Sequence, residues 1–128
     1  MGIFDSIFGK GKETGQQEVG IPWIHLVSID QLDEIEIKSK ERTQVIFKHS
    51  VTCGISSMVL RMFSSQDIEA KVDFYLLDLH AHRNVSNAVE DRFQVVHQSP
   101  QLLIIKDGKV SFHTSHGAIS DTDLQEYI

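Results

Sequence analysis

Thr43-Gln44-Val45-Ile46-Phe47-Lys48 runs into His49-Ser50-Val51-Thr52 and then into Cys53-Gly54-Ile55-Ser56. The first part is rich in β-branched and aromatic residues, the composition of a strand. From about Cys53 to Ser64, Ile55, Val59, Met62 and Phe63 predict a helix with these residues on its buried side. His49 to Thr52 is then the loop leaving the strand. Cys53 stands where the unpaired N–H groups of the first turn and the positive end of the helix converge. Such groups stabilise a thiolate, and a helix start is open to solvent, as a nucleophile requires. The competing reading of a lone cysteine is a small buried hydrophobe. Its position on a strand-to-helix turn, between Thr52, Gly54 and Ser56, favours the reactive thiol.

Working outward, Trp23 to Val27 reads as a short entering strand. Ser28 or Asp30 is positioned to cap a helix whose inner face holds Leu32, Ile35 and Ile37. Beyond the cysteine helix, Val72 to Leu79 is a nearly continuous apolar run that suits a central strand covered on both faces. Asn84 to Phe93 predicts a helix with Val85, Ala88, Val89 and Phe93 inward and Asn84 or Ser86 near its cap. Leu102 to Lys106 and Val110 to Thr114 flank Asp107-Gly108, a strong two-residue hairpin signal. Ser120 or Asp121 is placed to cap a last helix through Leu124 and Tyr127. The order is β-α-β-α-β-α-β-β-α, with parallel strands expected until the final hairpin adds an antiparallel edge. That is the order of the α/β thioredoxin-like fold, a central mixed sheet flanked by helices, and it is assigned to residues 21–128.

Residues 1–20 read as an extension. Ile3, Phe4, Ile7 and Phe8 share one face of a short helix, and Gly9 to Gly20 is a Gly-, Gln-, Lys- and Glu-rich linker. The start carries no basic region followed by a sustained apolar core, so a cytoplasmic location is expected. No apolar run reaches the ~18 residues of a spanning helix, so stable membrane insertion is not expected. A length of 128 residues leaves room for one domain, and a net charge of −6 argues against nucleic-acid binding, which needs a basic face. The single cysteine excludes an internal disulfide and a Cys-rich metal site within one chain. It leaves open a mixed disulfide with a small molecule or another protein.

Two further features bear on chemistry. Ser99-Pro100, just before the Leu102 strand, is a candidate cis peptide that exposes a neighbouring backbone edge. The histidines His25, His49, His80, His82, His97, His113 and His116 tempt a metal reading. No recognisable ligand spacing surrounds them, so His80 and His82 read as surface or loop residues and no metal is expected. His97 and His116 border the active edge, and Lys48 and His49 are close enough in sequence to add positive potential near the thiol.

With Lys48-His49-Ser50-Val51-Thr52-Cys53-Gly54-Ile55-Ser56 before a helix and Ser99-Pro100 before a strand, the chain resembles the YtxJ family of monothiol bacilliredoxin-like proteins. The resemblance runs from about Trp23 to Tyr127. Gly54 departs from the family pattern, which often has proline after the cysteine. The resemblance implies a cytoplasmic bacterial thiol–disulfide oxidoreductase with no bound cofactor and with bacillithiol, or another low-molecular-weight thiol, as co-substrate. Its partners would be client proteins carrying mixed disulfides. On this reading Cys53 is the nucleophile. Thr52, Gly54, Ser56, Ser99 and Pro100 stabilise the thiolate or bind substrate, with the Ser56 hydroxyl positioned to hydrogen-bond the sulfur. Cys53-Gly54-Ile55-Ser56 is also similar to the Cys-Gly-Phe-Ser signature of monothiol glutaredoxins, which implies the alternative of an iron–sulfur cluster module. A non-catalytic binding protein on the same fold is the third reading.

Overall fold

The computed structural model describes residues 20–68 and 70–128. The expected apolar segment Met1 to Phe8, and the linker as far as residue 19, lie outside the described residues. Five strands form one sheet: β1 (Ile24–His25), β2 (Thr43–His49), β3 (Val72–Asp78), β4 (Gln101–Lys106) and β5 (Lys109–Ser115), in the order β1-β3-β2-β4-β5. Three helices pack on it: α1 (Asp30–Lys38), α2 (Gly54–Ser64) and α3 (Arg83–Phe93).

Strand alternation sends side chains to opposite faces of the sheet, and each face builds its own core. Ile46, Tyr75, Leu77, Leu103 and Ile105 meet Leu32 and Ile35 of α1 and Val85, Val89 and Phe93 of α3. Val45, Phe47, Phe74, Leu102 and Ile104 meet Val59 and Phe63 of α2, together with Ile119 and Leu124. Trp23 packs edge-on against Phe47 and Phe74 and donates its indole N–H to Ser64 Oγ at 2.8 Å.

The structure corrects several expectations. The central strand is β2, buried along its whole length, whereas β3 has only the two-residue β1 beyond it. β4 runs antiparallel to β2 instead of parallel. The cause lies in the connection from β3. α3, about 16 Å long at 1.5 Å per residue, carries the chain away from the edge where β3 ends. Gln94 then turns it in the left-handed conformation, and an irregular stretch from Val95 to Pro100 brings it back. β4 therefore starts at the edge where β2 and β3 finish.

Helix faces differ by one or two positions. Ile37 is 68% exposed, because it lies 200° around the helix from Ile35. On α2 the buried stripe is Ser56, Val59 and Phe63, and Ile55 and Met62, each one residue earlier, are exposed. α1 and α3 begin without a side-chain cap at Ile29 and His82; instead Gln31 Oε1 reaches back to accept from the Val27 and Ser28 amides. The expected last helix is two 3-10 turns, His116–Asp121 and Leu124–Tyr127, and the cap of the second is Asp123. Asp107 and Gly108, at φ 53° and 76°, have the positive φ values that a tight hairpin between β4 and β5 requires.

Candidate active site

Register places the site. His49 pairs with Asp78, and Lys48 pairs with Gln101. The exits of β2 and β3 and the entry of β4 therefore share one edge of the sheet. The turn at 50–53, the segment at 79–82 and the loop ending at Pro100 all gather there.

Cys53 is the N-cap of α2. Its backbone is extended (φ −107°, ψ 118°), its N–H donates to Ser50 O at 3.2 Å, and its C=O accepts from Ser57 N–H at 3.1 Å. The first bond closes the turn and the second starts the helix, so the thiol is held where the first-turn amides of α2 are unpaired. It is free and half-buried. Gly54 is exposed, and a Cβ there would touch nothing within 4 Å. Thr52 is exposed beside it.

Beneath the turn lies a polar network. Ser56 is completely buried, and its Oγ lies 2.8 Å from His49 Nδ1 and accepts from Ser50 N–H at 3.1 Å. That hydroxyl serves the turn, with no hydrogen bond to the Cys53 sulfur among the described residues. His49 is buried, and desolvation lowers its pKa from the usual 6.5 against an opposing pull from Asp78, so the ring is neutral at pH 7. On the outer side, His80 Nε2 lies 2.8 Å from Ser50 Oγ and 3.3 Å from Thr52 Oγ1.

On the other flank, the Ser99–Pro100 peptide is cis. Pro100 is buried, its C=O accepts from His116 N–H at 3.0 Å, and Ser99 Oγ is buried with no hydrogen-bond partner among the described residues. The fold thus brings all six sequence-predicted positions, Thr52, Cys53, Gly54, Ser56, Ser99 and Pro100, to one edge.

Lys48 and His49 do not act as the sequence suggests. His49 is neutral, and Lys48 is buried on the opposite face of β2, where its ammonium donates to Ser86 O at 3.3 Å and meets His97 Nδ1 at 3.2 Å. Burial lowers the Lys48 pKa to about 8. His80, read from sequence as a surface residue, is exposed yet fastened to the turn. Its place two residues past the end of β3, the parallel neighbour of β2, is the signal that could have found it. Among the described residues no group of three His, Cys, Asp or Glu is placed to hold a metal ion, and no helix is long and apolar enough to cross a membrane.

These features define a thioredoxin-fold protein with one thiol at the start of a helix and a cis-proline at the same sheet edge. The sequence profile of the monothiol bacilliredoxin BrxC matches residues 24–124, and the chain belongs to this family. Among solved structures it is similar to a candidate oxidoreductase with a thioredoxin fold, at 29% identity and a TM-score of 0.70 over 80% of this chain and 90% of the other. It is similar in fold to the thioredoxin of Malassezia sympodialis (21% identity, TM-score 0.65, 87% and 92% covered). The same holds for that of Schistosoma mansoni (15%, 0.67, 83% and 95%). Family and fold together assign the chain a thiol redox function.

Proposed function

We propose that Cys53 removes a low-molecular-weight thiol, bacillithiol in a host that makes it, from mixed disulfides on client proteins in the cytoplasm. The observation that carries this reading is the pairing of a half-buried free thiol at the α2 N-cap with the Ser99–Pro100 cis peptide at the same sheet edge.

The Cys53 thiolate attacks the small-thiol sulfur of the mixed disulfide. The old S–S bond breaks, the client leaves as a thiolate that takes a proton from water, and a Cys53–small-thiol disulfide remains. Cys53 stands at the start of α2, beside the unpaired amides of its first turn. The Ser99 backbone N–H and C=O make no hydrogen bond within the described residues, which supports pairing with an extended client segment across the site. Ser56 occupies the place of the second cysteine of a Cys-x-x-Cys motif, and a hydroxyl forms no disulfide. A second small thiol must therefore attack the Cys53 adduct, restoring the thiolate and leaving as a symmetric small-thiol disulfide.

The test is to incubate the purified chain with a peptide carrying a bacillithiol mixed disulfide and follow it by intact mass. The expected result is free peptide thiol and one small-thiol adduct on Cys53, both absent with Cys53→Ser. Peptide release at the rate of buffer alone would overturn the reading. Brown colour with visible absorption after anaerobic purification would favour the cluster-binding alternative.

A further inference from the structure

Lys48 is a costly residue in its position. It follows the apolar run Val45–Phe47 of the central strand, is 0% exposed, and makes no salt bridge with a carboxylate among the described residues. Buried ammonium groups are ordinarily paired with an anion. This one is satisfied by a carbonyl, Ser86 O, and by an imidazole, His97 Nδ1. Its cross-strand partner is Gln101, also buried, and Gln101 reaches the same loop. Gln101 Nε2 donates to Val96 O at 3.0 Å, and its Oε1 lies 3.4 Å from Gln98 N. Two neighbouring strands thus each send one buried polar side chain into the segment that leads to Ser99 and Pro100.

We infer that the Lys48–His97 contact is a positioning device: it fastens the Val96–Ser99 segment to the strand that leads into Cys53, and it lets go when His97 takes a proton. The inference rests on the reading of Cys53 and Pro100 as two halves of one exchange site. An ammonium can donate to Nδ1 only while that nitrogen holds a lone pair, so the His97 ring is neutral with its hydrogen on Nε2. A proton on Nδ1 removes the acceptor and sets two cations 3.2 Å apart. The charged groups acting on the ring are Lys48 from β2 and Arg83 and Glu90 from α3, and the Ser86 hydroxyl of α3 also lies 3.3 Å from Nδ1. Desolvation, Lys48 and Arg83 lower its pKa from 6.5 and only Glu90 raises it. Release therefore belongs to the acid side of neutrality, and the client-binding edge loosens there while Cys53 stays on its helix.

The test compares the full chain with His97→Asn, whose amide oxygen can replace Nδ1 as acceptor without titrating, and with Lys48→Met. Exchange with a peptide mixed disulfide is divided by the iodoacetamide alkylation rate at each pH, which removes the contribution of the thiol's own ionisation. From about pH 7.5 to about pH 5, the wild-type ratio is expected to fall about tenfold, the scale on which slight misplacement of a binding group acts. The His97→Asn ratio is expected to stay at the neutral wild-type level, and the Lys48→Met ratio to be low throughout. Parallel wild-type and His97→Asn profiles, or a Lys48→Met ratio equal to wild type at neutral pH, would overturn the inference. If the wild type is alkylated but exchanges with no peptide at any pH, the exchange reading fails instead. Amide hydrogen exchange of Val96–Ser99 then decides. Acid loss of protection in wild type but not in His97→Asn supports the contact, and equal behaviour of the two overturns it.

Discussion

The His49 imidazole and the Ser56 hydroxyl meet at 2.8 Å under the turn that carries Cys53, and the same hydroxyl accepts from the Ser50 amide. Ser56→Ala leaves a buried imidazole nitrogen and a buried N–H without a partner. The expected loss is about 1–3 kcal/mol, the scale for an orphaned buried polar group, read as a lower denaturant midpoint at unchanged slope. Alkylation of Cys53 should change much less, because the hydroxyl is bonded to His49 and the Ser50 amide and makes no hydrogen bond to the sulfur among the described residues. A large loss of thiol reactivity with unaltered stability would contradict this assignment.

Ser56→Cys tests the resolving step. It restores the two-cysteine spacing, so a Cys53 adduct can be displaced from within the chain. Intact mass should show the small-thiol adduct disappearing in favour of a species two hydrogens lighter than the reduced variant, without added thiol. Persistence of the adduct would show that the buried position is closed to Cys53.

Gly54 is the first residue of α2, a position where proline is well tolerated. Cys53 before it already has the extended backbone that a following proline demands, and the space for a side chain is empty. Gly54→Pro should therefore stabilise the chain by about 0.4–1 kcal/mol, mainly by restricting the unfolded state. A drop in the thermal midpoint would refute it.

Lys48 makes a prediction on the alkaline side. Its pKa is about 8 in the folded chain against the usual 10.5, so between these values the unfolded chain holds a proton that the folded chain has lost. Stability supplied by this group rises with pH across that window, by at most about 1.4 kcal/mol per pH unit. Urea unfolding at about pH 8 and about pH 9.5 should show wild type gaining about 1–2 kcal/mol relative to Lys48→Met. Parallel stabilities in the two proteins would mean that the lysine stays charged in its buried site.

Much of this architecture is legible in local pattern. The β2 and β3 apolar runs, the helical spacing of Val85, Val89 and Phe93, the Asp107-Gly108 hairpin and the cysteine at a helix start all rest on neighbours within a few residues. The errors fall where a longer range decides. Ile37, Ile55 and Met62 are apolar and close to helical phase, but which side of a helix is covered depends on how it lies across the sheet. Ser56 follows Cys53 by three residues, yet its hydroxyl points to His49, a choice made by the packing of α2 on β2. His80 carries no local signal, since its link to Thr52 spans 28 residues.

By itself, the sequence determined the five strands and the first three helices, that one cysteine stands at a helix start, and that a proline stands before the fourth strand, because backbone propensity and side-chain spacing are short-range properties. Only the tertiary structure decided that β2 is central, that β4 returns antiparallel, and that Lys48 and Gln101 lie side by side and reach one loop. Sheet order and register join residues far apart in the chain. The burial of a charge depends on what is laid over it: α3 and the returning loop close over Lys48, and no residue next to it in sequence requires them to.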